Sequence, residues 1–365
     1  MAALLPTALL LAAVPALLAQ APAPVLETEA LSGLRARNIG PAAMSGRIAA
    51  LDGCVEKGRV TMYVGAASGG VWKSNNGGTT FKPVFDKHNQ SIGAVRIDPR
   101  NPNTVWVGTG ECWVRNSVSV GDGIYKTTDG GDNWTRMGLP ESERIAAIEL
   151  DPTAPGTVYA AAMGRLWAPG GERGLYKTTD GGTTWKRMLY VDENTGCSGL
   201  AVDPANPKRL FAAMWDYRRT GWDFRSGGVG SGLYRSEDGG ETWAKLTGDD
   251  KSGLPGGTLG RIVVAVAPSD PRIVYAAVES QEGALYRSED GGRTWSWRFK
   301  GPKVLARPFY FGAMTVDPKN PDRLYKMGYN MALSEDGGKT FSQVGRSTHG
   351  DHHAVWIHPQ QTDTL

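Results

Sequence analysis

The sequence predicts an all-β fold, a β-propeller of four-stranded blades, and three observations carry that reading. Glycine supplies 49 and tryptophan 12 of the 365 residues, a pairing that suits many tight turns closed by aromatic packing. An octapeptide recurs six times at intervals of about 50 residues, the period of a blade or solenoid unit. Apolar runs of strand length flank turn residues throughout, and no segment shows the helical 3.6-residue period.

The octapeptides read "SNNGGTTF" from Ser74, "TTDGGDNW" from Thr127, "TTDGGTTW" from Thr178, "SEDGGETW" from Ser236, "SEDGGRTW" from Ser288 and "SEDGGKTF" from Ser334. Their third positions are Asn76, Asp129, Asp180, Asp238, Asp290 and Asp336. Two consecutive glycines supply positive φ at no steric cost, the carboxylate accepts turn N–H groups, and the closing aromatic packs into the sheet. A calcium loop would need alternating carboxylates and a terminal Glu, which these octapeptides lack. They are therefore read as structural hairpin turns.

A strand with an aromatic precedes each octapeptide, as in "GIYKT", "GLYKT" and "GLYRS". Further upstream stand paired runs around a Pro-rich turn, as in "VRIDPRNPNTVWVG", "IELDPTAPGTVYAA" and "LAVDPANPKRLFAA". Each repeat thus holds four strands, here A to D outward from the axis, and radial repetition of such units makes a propeller. Strand A starts fall near Ile48, Val95, Ile148, Leu200, Val264, Met314 and Ala354. The expectation is about seven blades with the last incomplete, over 47–365, in one ring of a larger protein. Residues 1–20 have the apolar core and small-residue end of a signal peptide, and 21–46 form a lead-in segment. The predicted location is secreted or periplasmic, with no membrane span in the mature chain.

Net charge is +3 with both signs interspersed. The chain has no basic stripe to track phosphates, so nucleic acid is not an expected partner. Cys54, Cys112 and Cys197 are too few and too odd in number for a disulfide framework. No cofactor is expected.

Short, uniform A–B and C–D turns mark one face as structural, so function is expected on the opposite face, where the B–C loops vary. Blade two contributes Glu111, Trp113, Arg115 and Asn116. Blade three contributes Arg165 and Trp167, and blade four Trp215, Asp216, Tyr217, Arg218, Trp222 and Asp223. Trp, Tyr and Arg on one rim suit stacking on sugar rings or anchoring a peptide, so the expected partner is a polysaccharide or protein ligand. The alternative is that these aromatics cap the core. A glycosidase would need two carboxylates across the scissile bond, and Glu111, Asp216, Asp223 and Asp351 lie on the required face.

The stretch "STHGDHHAVWIHP" holds four of the five histidines. "AVWIHP" aligns with "AVRIDP", so His358 takes the Asp position of an A–B turn, a strand's length from His353. That leaves His349, Asp351 and His352 as a candidate metal or ligand site, or as a hydrogen-bonded lead-in turn.

The S-x-D-G-G-x-T-W octapeptides resemble Asp-box (BNR) repeats, as found in sialidases, two-propeller xyloglucanases, photosystem assembly factors and sortilin-type propellers. The wider cadence, with "GTGE" and "DHHAVWIHP", resembles bacterial exported proteins described as sortilin-N-terminal or glycosyl-hydrolase-like. The xyloglucanase resemblance implies a catalytic Asp just before the first x-Gly-Gly-x-aromatic stretch. That position here is Ala67, in "AASGGVWK". The sialidase resemblance implies an arginine cluster, for which Arg115, Arg165 and Arg218 are the available residues, and an early Arg-Ile-Pro stretch, which "RARNIGP" does not match.

Overall fold

The computed structural model describes residues 47–345 and 347–365. The expected signal peptide over 1–20 and lead-in over 21–46 lie outside the described residues. Six antiparallel sheets follow one another, each ordered A-B-C-D. Their inner A strands are Ile48–Glu56, Ile92–Ile97, Ile145–Leu150, Thr195–Val202, Ile262–Val266 and Met314–Val316. The expected count of about seven blades is thereby corrected to six four-stranded blades among the described residues.

The seventh strand-A start, at Ala354, takes no part in a sheet among the described residues, although its segment is placed as a strand A would be. Ile357 and Val355 pack with Tyr325 and Met331 of blade six, while the Trp356 indole bonds to Gly53 of blade one. The turn that follows repeats the other A–B turns. His358 N–H donates to Thr364 O at 3.0 Å as Asp203 N–H donates to Arg209 O at 3.0 Å. His358 Nδ1 accepts from Gln360 and Gln361 N–H, as Asp203 Oδ1 accepts from Ala205 and Asn206. An imidazole acceptor stands here in place of a carboxylate.

The core lies between blades. The Val95, Ile97, Val105 and Val107 side chains of blade two pack on Ala50 and Tyr63 of blade one, and equivalent clusters join blades two and three, three and four, four and five, and five and six. Several B strands are rich in small buried residues, as in Val158–Ala162, "VYAAA", all buried. Such residues let the wedge-shaped blades approach closely near the axis.

The octapeptide turns behave as their residue types require. In blade three, Thr178 Oγ1 accepts from Gly182 N–H and donates to Asp180 Oδ1 at 2.7 Å. Asp180 then accepts from Thr184 N–H and Oγ1–H, while Gly181 and Gly182 sit at φ 75° and 102°. Two closing tryptophans reach back one blade, Trp134 to Val84 O at 2.7 Å and Trp185 to Met137 O at 2.8 Å, while Trp243 and Trp295 donate within their own turns, to Gly240 O and Gly292 O. In blades two and three the turn thus fixes both its own hairpin and the neighbouring blade.

One element departs from the all-strand expectation. Pro302–Leu305 forms a single helical turn with proline in its first turn, where a missing N–H costs nothing. No described helix is long and apolar enough to cross a membrane.

Candidate ligand-binding face

Antiparallel order puts every B–C and D–A loop on one face. In blade four strand B runs ten residues, Leu210–Arg219, beyond its partner strand C and pairs instead with Phe224–Ser226. This overhang carries Trp215, Asp216, Tyr217 and Arg218 across the mouth of the ring.

The centre of the face is a buried aromatic plug. Trp215 and Tyr217 are fully buried and stacked at 4.5 Å. The Tyr217 hydroxyl donates to Met163 O at 3.0 Å, and the Trp215 indole to Ser226 Oγ at 3.2 Å. Trp113 is also buried and donates to Ala49 O at 2.9 Å. It packs with Ala67, Tyr310 and Phe311, so the Ala67 position lies in an apolar cluster. Trp113, Trp215 and Tyr217, expected on the rim, are therefore placed beneath it; the overhang folds inward because its apolar rings exclude water there.

Within the plug lie basic side chains that the B–C loop inventory misses. Arg261 stands between Trp113 and Trp215, 4.8 and 5.2 Å from their centroids, and donates to Phe309 O at 2.9 Å. Lys326 donates to Phe311 O and Met327 O, each at 2.8 Å; burial, then Arg261, pulls its ammonium down to about 7. His353 lies stacked near Trp113 and Phe311 with Tyr310 edge-on at 4.5 Å. Burial, then Arg47, Arg261 and Arg115, lowers its imidazole to about 3. A signal was present in the recurring Arg-Ile at the start of strand A, at Arg144 and Arg261.

The carboxylates divide into held and exposed groups. Glu111, buried, is clamped by the Nε and Nη2 edge of the Arg47 guanidinium, with Nη2 at 2.6 Å; burial pushes its carboxyl up while Arg47 opposes. Asp216 accepts from Arg225 Nη2 at 2.7 Å. Glu279, absent from the sequence inventory, accepts from Ser226 Oγ at 2.8 Å and from Arg261 N–H at 2.7 Å. Asp216 packs so tightly on Gly228 that a Cβ there would meet Oδ2 at 2.0 Å. Asp216 and Glu279 thus flank one short segment, Ser226 to Gly228, and burial raises both carboxyls.

Asp223 closes a loop in which Thr220 Oγ1 accepts its N–H at 3.0 Å. Asp351, at φ 68°, donates its N–H to Tyr329 O at 3.0 Å. His349 Nδ1 meets Gly350 O at 2.6 Å, and His352 lies 3.4 Å from Thr348 Oγ1. Among the described residues no group of three His, Cys, Asp or Glu gathers as a metal site.

The outer rim is open. Trp222 is 90 % and Trp167 47 % exposed. Arg165 pairs with Glu141 at 3.1 Å, Arg218 reaches Asn194 Oδ1 at 2.6 Å, Arg219 contacts Asn116, and Arg115 lies 4.5 Å over Tyr310. Arg115, Arg165 and Arg218 are thus held by three separate sets of neighbours. Cys54, Cys112 and Cys197 are free thiols.

Six blades among the described residues, closed by S/T-x-D/N-G-G turns and with a plugged and varied loop face, define an Asp-box (BNR-repeat) β-propeller. A family profile described as Sortilin, neurotensin receptor 3 (Sortilin-Vps10) matches residues 69–213. Xyloglucanase Xgh74A of Acetivibrio thermocellus is 33% identical over 351 residues, covering 78% of this chain and 36% of the relative. A probable oligoxyloglucan-reducing end-specific xyloglucanase of Neosartorya fischeri is 26% identical, over 64% of this chain and 31% of the relative. The chain spans about a third of the length of these curated relatives. Among solved structures, an ancestral GH74 enzyme superposes with a TM-score of 0.55 at 17% identity, covering 81% of this chain and 38% of that one. YCF48 from Cyanidioschyzon merolae gives 0.50 at 14% identity over 85% and 88% of the two chains. These superpositions show the fold.

Proposed function

We propose that this protein is an exported propeller that binds a polysaccharide through its B–C/D–A face. The observation that carries the reading is the pair of exposed indoles, Trp222 and Trp167, on the loop rim of neighbouring blades three and four. Exposed indoles on a rim of arginines and amides offer flat apolar surface beside hydrogen-bond donors, which is what a sugar ring's two kinds of surface require. The xyloglucanase relatives support a carbohydrate ligand. The test is binding of the purified chain to a polysaccharide panel, xyloglucan included, by calorimetry, with Trp222→Ala and Trp167→Ala. Each variant is expected to weaken binding about tenfold with an unchanged melting temperature. Unchanged affinity in both would sink the reading.

A second reading, glycoside hydrolysis, is favoured by the juxtaposition of Asp216 and Glu279. Raised carboxyls suit a general acid, and the Arg225 contact would keep Asp216 ionised as its partner. Release of reducing sugar that disappears in Glu279→Gln supports it; turnover unchanged in that variant removes it.

A further inference from the structure

Around the plug, three arginines from different blades stand on one aromatic floor. Arg115, from the blade-two loop, lies 4.5 Å above the Tyr310 ring, and Arg307 lies 5.4 Å from the same ring and 5.8 Å from Phe309. Phe309 meets Phe224 edge-on at 5.1 Å, and Arg219 lies 4.9 Å over Phe224. Arg219 also contacts the side-chain oxygen of Asn116, the residue next to Arg115. The contacts close into a circuit: Arg115, Tyr310, Arg307, Phe309, Phe224, Arg219, Asn116.

Charge balance distinguishes this circuit from the rest of the surface. Most arginines of the turn face have a carboxylate, as Arg209 has Asp203 and Arg287 has Asp322. Among the described residues, no Asp or Glu oxygen lies within 4.0 Å of Arg115, Arg219 or Arg307. Beneath them Arg261 is also buried without an ion pair. Arg307 is exposed while Arg115 and Arg219 are half-buried, so the guanidinium edges are accessible while their faces are held by rings. A guanidinium stacked on a ring keeps its planar fork free for two parallel hydrogen bonds to a carboxylate, and loses little rotamer freedom on binding. Uncompensated, pre-positioned cations of this kind call for an anion from outside.

We propose that the Arg115–Arg219–Arg307 circuit is a carboxylate subsite and that the polysaccharide bound by this face is acidic, bearing uronate residues. The proposal rests on the glycan-binding reading above and narrows it. Indoles at Trp222 and Trp167 would hold sugar faces while the circuit takes the charged groups.

The experiment measures affinity of the full chain for three probes: polygalacturonate, the same polymer with its carboxyls reduced to alcohols, and neutral xyloglucan. The expected result is preference for polygalacturonate, weakened by added salt. Arg307→Gln and Arg219→Gln should each reduce that affinity about tenfold, with Arg115→Lys losing less than Arg115→Gln. Melting temperatures should be unchanged in all variants, which shows that each still folds, while the ratio of acidic- to reduced-polymer affinity falls in each. Equal binding of the acidic and reduced polymers would overturn the inference and leave the glycan reading standing. No binding to any of the three would overturn both. Binding of an acidic peptide but not polygalacturonate would also overturn the inference.

Discussion

The Trp356 indole donates its Nε1 hydrogen to Gly53 O at 2.9 Å across a sequence separation of 303 residues. A Cβ on Gly53 would stand 2.7 Å from the same ring, so the strand can carry only hydrogen where the indole lies. Trp356→Ala is expected to cost about 2 kcal/mol, the half-buried fraction of a core Trp loss plus one hydrogen bond. Gly53→Ala should cost about 1 to 3 kcal/mol by overpacking. The double variant should cost less than the two together, since both act on one contact. Chemical denaturation with urea measures all three; additive losses would show that the contact is not shared.

The Asp-box carboxylates give stability that depends on pH. Burial tends to raise the Asp336 carboxyl, but hydrogen bonds from Thr340, Ser334 and Lys339 outweigh it and hold the group at about 2. The unfolded value is about 3.9. The folded state therefore binds the proton less readily, its advantage is complete above about pH 4, and it is lost as pH falls toward 2. Asp336→Asn should be accommodated, because Asn76 makes the equivalent bonds to Thr80 in blade one. The stability difference between the natural protein and this variant should shrink as pH drops from 5 to 2. A difference that stays constant would assign the acid sensitivity elsewhere.

Lys326 acts in the same direction over a higher pH window. Its folded value near 7 lies below the unfolded 10.4, so between these limits the unfolded chain binds more protons and stability rises with pH. Replacing it by Met keeps the volume and removes the titration. Relative to Lys326→Met, the natural protein is expected to gain stability from pH 7 to 10. Melting temperatures at matched ionic strength would show the two curves diverging; parallel curves would mean the ammonium remains charged in the fold.

Ala67 marks where the xyloglucanase resemblance implies an Asp. Restoring one by Ala67→Asp would bury a carboxylate among Trp113, Tyr310 and Phe311. The expected cost is about 3 kcal/mol or more, with no xyloglucan hydrolysis gained. Activity appearing in a stable variant would show the cluster to be a latent catalytic pocket.

The repeat was legible because its information is local. Ser288 Oγ, Asp290 Oδ1 and the Gly292 N–H bond one another within four positions, so residue order alone dictates the turn. The same locality made His358 readable as a turn acceptor. The plug was not legible, because burial of Trp215 and Tyr217 depends on a strand overhang that folds over the ring, and periodicity is silent on where an overhang goes. Arg261 and Glu279 escaped for a related reason. They lie at the ends of strands, where no long loop advertises them, and become a site only when Ser226 is brought between blades. The blade count failed at its last step because one well-formed turn at His358 looks, in sequence, like the start of a whole blade.

The A–B turn bond recurs at Asp98, Asp151, Asp203, Ala267, Asp317 and His358, so it survives a methyl group or an imidazole in place of the carboxylate. Backbone geometry alone sets this corner, and its side chains are free for other use. A fluorophore or surface tether attached through the exposed Lys208 side chain would sit on the side away from the indole rim. The molecule could then be immobilised in a single orientation, presenting its whole loop face to a polymer in solution.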